Sequence, residues 1–325
     1  MRFYRNAGSH FKKILKQVQD DVLYLTKFHF KKTIFVMMVT FLFHTPLMAA
    51  PLKVVTSFSI LADMTKEVGG EWIDVKPIVG PNQDTHVYEP RPSDLKNVAQ
   101  ADLIIINGLG FEGWIERLTQ SSGYQKEVAV ATQGLQPHRM NHDGQEVPDP
   151  HAWHSPQNAL IYVENISNAL QKVIPEHAAD IQKRATSYQE KIKVLDQEMK
   201  DTFSIIPIEK RKVITAHDGF GYLGQDYDIT FLAPLGISTD SEPSAHQLAV
   251  LIKQIHHEGI KAIFIENISN PRLLEQMASE AGVSLQGVLY SDALSAPGTE
   301  ADTYLKMMHH NIGVLKKAFT VNLSQ

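Results

Sequence analysis

The sequence predicts an α/β protein of two similar lobes, each a parallel sheet flanked by helices, joined by one long backbone helix. Three observations carry this expectation. Short β-branched runs alternate with stretches whose apolar residues step by three and four, the pattern of parallel strands connected through helices. The same order of runs occurs twice, and the spacing from Lys53 to Leu103 equals that from Lys212 to Ala262. Between the two copies lies a helical stretch with no strand signal. A chain of 325 residues accommodates about two domains of ~150 residues.

In chain order, Lys31-Lys32 precedes an apolar run, Thr33–Phe43, followed by Thr-Pro-Leu-Met-Ala-Ala. Charge, apolar run and small residues in this order form a secretory signal, with cleavage expected after Ala49. The run is too short for a helix to cross a bilayer core of ~30 Å. Residues 1–30 are an unusually long leader to it. The first lobe, residues 50–154, opens with the strand Lys53-Val-Val-Thr-Ser and a helix over Ile60–Val68. A strand at Val75–Val79, a helix from Ser93 (expected as its cap) to about Gln100, the apolar strand Leu103–Ile106 and a strand at Glu127–Ala131 follow. Residues 155–205 form linking helices. Ser155-Pro156 starts one that reaches about Val173. Pro175, at a first-turn position, starts another that runs to about Phe203. Ile181, Ala185, Tyr188, Ile192, Leu195 and Met199 line one face of the latter. In the second lobe, residues 206–325, Lys212-Val-Ile-Thr mirrors the first strand and Ala233-Pro-Leu-Gly mirrors Pro77-Ile-Val-Gly. Pro243-Ser244 mirrors Pro92-Ser93, Ala262-Ile-Phe-Ile mirrors Leu103–Ile106, and Val283–Tyr290 mirrors the last strand.

Composition narrows the chemistry. The chain has no cysteine, which excludes disulfides, thiolate metal sites and cysteine nucleophiles, and leaves no residue for an N-terminal thioether lipid. The net charge of −5 conceals a basic leader and a strongly acidic body. An acidic body argues against a nucleic-acid partner and suits cations. Of 15 histidines, most lie in that body.

Ligands of doubly wound sheets bind beyond the carboxyl ends of the strands. Four such places carry metal-type side chains: Asp84-Thr-His86, Asp149-Pro-His151-Ala-Trp-His154, Thr215-Ala-His217-Asp218 and Tyr290-Ser-Asp292. Each lobe supplies two. Taken singly, any of these histidines is as well explained by a solvated loop, and Asp292 by a helix cap. Asp218 points elsewhere in an extended turn and is not counted as a ligand. Their coincidence at strand ends favours a metal site between the lobes.

His86-Val-Tyr-Glu-Pro, Asp149-Pro-His151-Ala-Trp, Thr215-Ala-His217-Asp-Gly-Phe-Gly-Tyr, Glu242-Pro-Ser, Phe264-Ile-Glu-Asn and Tyr290-Ser-Asp292-Ala-Leu resemble the zinc/manganese solute-binding proteins of ABC importers. The resemblance runs from about Lys53 to the C-terminus. It implies metal held between two α/β lobes by His86, His151, His217 and Asp292. The ion, zinc or manganese, is then the transported ligand, and the partner is the membrane permease of an ABC importer. Some manganese binders of the family carry glutamate where this chain has His217. Many zinc binders of the family lack the carboxylate or carry a long histidine-rich loop before the second ligand, whereas residues 137–147 here have only His138 and His142, candidates for accessory capture. The position of His154 is usually not a ligand in the family, and it reads as a surface or helix-start residue. The pairs His256-His257 and His309-His310 read as solvated helix faces.

Three imidazoles and a carboxylate fill a tetrahedral shell, whereas catalytic zinc keeps a position open for water. The chain has neither H-E-x-x-H nor G-x-S-x-G. The expectation is therefore a non-enzymatic, monomeric, periplasmic binding protein without a lipid anchor. The competing classes are a secreted zinc-dependent hydrolase using Asp218 or Glu242 as base, and a surface adhesin, for which no adhesive motif is present.

Overall fold

The computed structural model describes residues 4–42, 50–142, 145–236, 238–239 and 243–321. Residues 1–50 and 51–325 are separate compact units. The first contains one helix, α1 (Tyr4–Leu42), which continues through most of the predicted signal run. No helix among the described residues is long and apolar enough to cross a membrane. The expected cleavage site after Ala49 lies outside the described residues.

The second unit begins with β1 (Leu52–Phe58), α2 (Ser59–Gly69) and β2 (Ile73–Val79). Then come α3 (Pro92–Ala99), β3 (Leu103–Ile106), α4 (Ile115–Ser122) and β4 (Val128–Val130). The four strands form a parallel sheet in the order β2-β1-β3-β4. Val54 to Phe58 are buried without interruption, because parallel strands covered by helices on both faces read as continuous apolar runs. Residues 137–147 are not an open loop: β5 (Arg139–His142) and β6 (Gln145–Pro148) pair as a hairpin.

The linking helices are α5 (Pro156–Val173) and α6 (Ala178–Ser204). Ser155 caps α5 by accepting the Asn158 N–H. Pro175 opens a single 3₁₀ turn, and α6 begins after it. The 27 residues of α6 make a rod of about 40 Å. All six of its predicted apolar positions are buried.

The second sheet is built from β7 (Lys212–Ile214), β8 (Thr230–Leu232), β9 (Ala262–Glu266) and β10 (Ser284–Leu289). Between them run α7 (Gly221–Tyr227), α8 (Ala245–Glu258) and α9 (Arg272–Ala281), and α10 (Tyr304–Val321) closes the fold. The sheet order is β10-β9-β7-β8, all parallel. Read from the other edge, this is the order of the first sheet with β7 in the place of β1, so the repeat seen in the sequence is a repeat of topology.

Two expectations shift. The second strand of the second lobe lies at 230–232, three residues before Ala233, since Pro234 has no N–H to donate to a ladder. In α3 the cap is not Ser93. Arg91 is the N-cap residue, and Asp94 accepts its N–H at 2.7 Å. Ser244, by contrast, does cap α8, in a capping box with Gln247.

The lobes share a core. One buried cluster runs from Val55, Ile60 and Ile104 of the first lobe through Tyr162 and Tyr188 of the linking helices to Phe264, Tyr304 and Phe319 of the second. A smaller cluster of Ile214, Leu251, Ile255, Ile263 and Met277 fills the opposite face of the second sheet.

Candidate metal centre

His86, His151, His217 and Asp292 each follow a strand or close a lobe, and the fold brings them together. One ligand-type atom from each lies within 4.8 Å of all the others. His151, His217 and Asp292 are fully buried, and only 7% of the His86 side chain is exposed. The site is therefore almost wholly buried, and the reading of these histidines as residues of solvated loops does not hold.

Each of the four side chains, or the loop that carries it, is held by its neighbours. The Asp84 carboxylate accepts the His86 N–H at 2.9 Å. The Trp114 indole donates to the Thr85 carbonyl at 2.9 Å, so the loop after β2 is held from both sides. Asp149 Oδ1 accepts both the backbone N–H of His151 at 2.9 Å and its Nδ1 at 2.8 Å. Glu266, the last residue of β9, accepts Ala216 N at 2.7 Å, His217 N at 3.0 Å and His217 Nδ1 at 2.6 Å. The segment bearing Asp292 is fixed by the Trp153 indole, which donates to the Ser291 carbonyl at 3.0 Å.

A carboxylate on Nδ1 keeps the proton there and turns the Nε2 lone pair towards the centre. His86 Nε2 and His151 Nε2 are 3.2 Å apart, and His217 Nε2 and His151 Nε2 are 3.3 Å apart. Asp292 Oδ2 is 3.2 Å from His86 Nε2 and 3.4 Å from His217 Nε2, and Oδ1 is 3.8 Å from His151 Nε2. A tetrahedron with metal–ligand bonds of about 2.0–2.1 Å has edges of about 3.3 Å. Neither Asp292 oxygen has a hydrogen bond of normal geometry although both are buried, as suits oxygens whose partner is a cation.

The charges agree. Burial alone would lower the His217 pKa, but Glu266 and Asp292 on its two ring nitrogens outweigh it and hold the pKa well above the usual value. Burial would raise the Asp292 pKa, but His217 and His151 hold it well below the usual carboxylate range. Positive charge is stabilised at this point, with carboxylates on both sides of the His151 and His217 rings.

Other sequence candidates are not part of this group. His154 is not a surface residue. It is fully buried, its ring lies 4.6 Å from that of Phe220, and neither ring nitrogen has a hydrogen-bond partner. Asp218 is half-buried and outside the four. His138 stacks flat on Tyr222 at 3.9 Å. The His142 side chain and Glu242 lie outside the described residues. His256, His257 and His309 are exposed, as expected, while His310 is half-buried and its Nε2 meets the Val288 carbonyl at 2.9 Å. Trp153, Phe220 and Tyr222 are buried around the site.

The orienting residues Asp149 and Glu266 were not given roles from sequence. Their signals were present: a carboxylate two residues before a candidate histidine, and a lone acid ending the apolar run Ala262–Ile265. Phe111, edge-on to His86 at 4.9 Å, left no comparable trace.

Residues 54–318 match the family described as ZnuA, zinc-uptake complex component A, periplasmic. The iron-binding protein YfeA of Yersinia pestis is 34% identical over 274 residues, covering 83% of this chain and 87% of that one. The manganese ABC transporter substrate-binding lipoprotein PsaA of Streptococcus pneumoniae is 32% identical over 270 residues, with coverage of 80% and 86%. Among solved structures, the periplasmic zinc-binding protein TroA of Treponema pallidum superposes with a TM-score of 0.79 at 29% identity, covering 83% of this chain and 99% of that one. The match spans both sheets, the linking helices and the loops that bring the three histidines and the aspartate together, and the chain belongs to the ZnuA family of metal-uptake binding proteins.

Proposed function

We propose that this protein captures one divalent metal ion through His86, His151, His217 and Asp292 and delivers it to the membrane permease of an ABC importer. The observation that carries the reading is the convergence of three Nε2 atoms and a carboxylate, all within 4.8 Å of one another and with the Asp292 carboxylate 3.2–3.8 Å from each imidazole, at a site where only His86 keeps any exposure. The shell has no open position for a water nucleophile, which favours binding over metal-dependent hydrolysis. The names of the relatives support metal import and span iron, manganese and zinc. Three imidazoles favour zinc in a direct competition with manganese, by the order of divalent affinities and by ligand type. The ion carried in the cell, zinc or manganese, depends as well on what the medium supplies.

Relatives of this kind work outside the cytoplasm, and the signal-type leader agrees with export. We place the mature protein, a monomer, in the periplasm. The expectation of an unanchored chain is not borne out by relatives such as PsaA, which is a lipoprotein by name. Because the imidazoles bind metal only when neutral, acid weakens the complex.

Native mass spectrometry tests the site. After stripping with chelator and reloading with zinc or manganese, each chain should retain one ion in a monomeric species. His151→Ala and Asp292→Ala should each lower retention. Retention of two equally tight ions, or of none, overturns the assignment.

A further inference from the structure

We propose that Asn82 and Asn267 form a clasp across the rim of the metal site that sets how slowly a bound ion leaves. The proposal rests on the metal-binding reading above. Asn267 follows Glu266, the residue that holds His217. Its amide makes three hydrogen bonds, with both N–H groups used. Nδ2 donates to Asn82 Oδ1 at 3.0 Å and to the Ala293 carbonyl at 3.0 Å, and Oδ1 accepts the Ser291 N–H at 3.3 Å. The orientation of the amide follows from its partners, since a main-chain carbonyl only accepts and a main-chain N–H only donates.

Ser291 and Ala293 are the chain neighbours of Asp292. Asn82 stands four residues before His86 in the loop after β2. Its own N–H donates to the Leu294 carbonyl at 2.9 Å. One side chain thus ties together the loops of His86 and Asp292 and stands next to the residue that aims His217. Asn82 has φ +54°, in the left-handed region that asparagine tolerates better than most residues. It is exposed, whereas Asn267 is half-buried, so the bond between them lies at the edge of the site. An ion leaving between the lobes requires these loops to part, and their parting breaks this contact. Neither asparagine is a ligand. Both are positioning residues.

The test is stopped-flow release of zinc from the loaded full chain into excess chelator. Asn82→Gly keeps the left-handed turn and the main-chain bond and removes only the side-chain contact. It should release zinc about 2- to 10-fold faster, the range expected for one hydrogen bond, with an unchanged association rate. Asn267→Asp sets an oxygen against the Ala293 carbonyl, which cannot turn round, and should release faster still. Asn82→Asp keeps an acceptor for Asn267 and should release at close to the wild-type rate. Asn82→Gly releasing zinc at the wild-type rate overturns the clasp, as does a lower apo melting temperature with unchanged release. Wild-type protein that retains no zinc overturns the metal reading instead.

Discussion

Replacing His154 with leucine should make the protein more stable, and more so in acid. The ring is fully buried, both nitrogens lack partners, and burial, only partly opposed by the Asp292 charge, pulls its pKa down to about 3. In the unfolded chain a histidine titrates near ~6.5. The folded value is depressed, so the native state binds fewer protons than the unfolded one between these limits. The stability is fully present above the unfolded pKa and is lost as pH falls from there towards the folded value. At pH 5 the ring must stay neutral about 1.5 units below its unfolded pKa, which costs about 2 kcal/mol. At pH 7.5 that cost nearly vanishes, and what remains is the desolvation of unpaired ring nitrogens, about 1–3 kcal/mol. Leucine has a similar volume and no polar atom, so His154→Leu removes both costs. Scanning calorimetry of the metal-free protein should show the variant melting above wild type at pH 7.5, with the gap widening at pH 5 by about 4 °C or more. The comparison isolates His154, since the other site groups titrate in both proteins. Zinc affinity should stay within a few-fold, because the residue lies outside the four proposed ligands. A gap that does not widen in acid, or a loss of affinity like that of His151→Ala, refutes the reasoning.

Asp63 should show the opposite sign. Burial, only partly offset by the Tyr304 N–H at 2.8 Å, raises its pKa to about 6. Its stability is therefore full below the unfolded value and lost as pH rises through 6. Asp63→Asn keeps an acceptor for Tyr304 and should gain about 1–2 kcal/mol at pH 7.5, after discounting for partial exposure, with the gain shrinking towards pH 5 in thermal melts. His217→Ala should abolish the metal-induced melting shift, which for wild type is ~4 kcal/mol at free metal 1,000-fold above the dissociation constant. It should also destabilise the apo protein by about 3–5 kcal/mol, because Glu266 is left buried with its charge uncompensated. Adding Glu266→Gln to that variant should restore much of the apo stability. No restoration would show that Glu266 is not charged in the fold.

The fold and the candidate site were legible in the sequence to different depths. The two sheets were readable because parallel strands covered on both faces keep unbroken apolar runs, as at Leu103–Ile106. The faces of α6 were readable because a helix buried along one side repeats every three to four residues. The four side chains of the candidate site were findable because strand ends are where such folds place their ligands. His154 does stand at a helix start, but its burial was missed because burial is decided by distant partners, here Phe220 in another lobe, and local spacing does not record it. The same holds for the buried site, which left no mark on composition. The N-cap of α3 fell on Arg91 and not on Ser93 because the Asp94 carboxylate, the third residue of the helix, reached back to the Arg91 N–H, which spacing alone does not settle.

The core shared by both lobes restricts how cargo can get out. Prying the two sheets apart would wet apolar surface along α5 and α6, and exposing even 400 Å² would cost about 10 kcal/mol. Thermal motion supplies an opening of that size too rarely to serve transport. The loops over the ion are a lower barrier, since each is held by a few hydrogen bonds worth about 1 kcal/mol apiece. The molecule is better likened to a solid block with a drawer than to a pair of jaws. The permease has only to pull on surface loops, and the frame behind them can stay rigid through every cycle of loading and discharge.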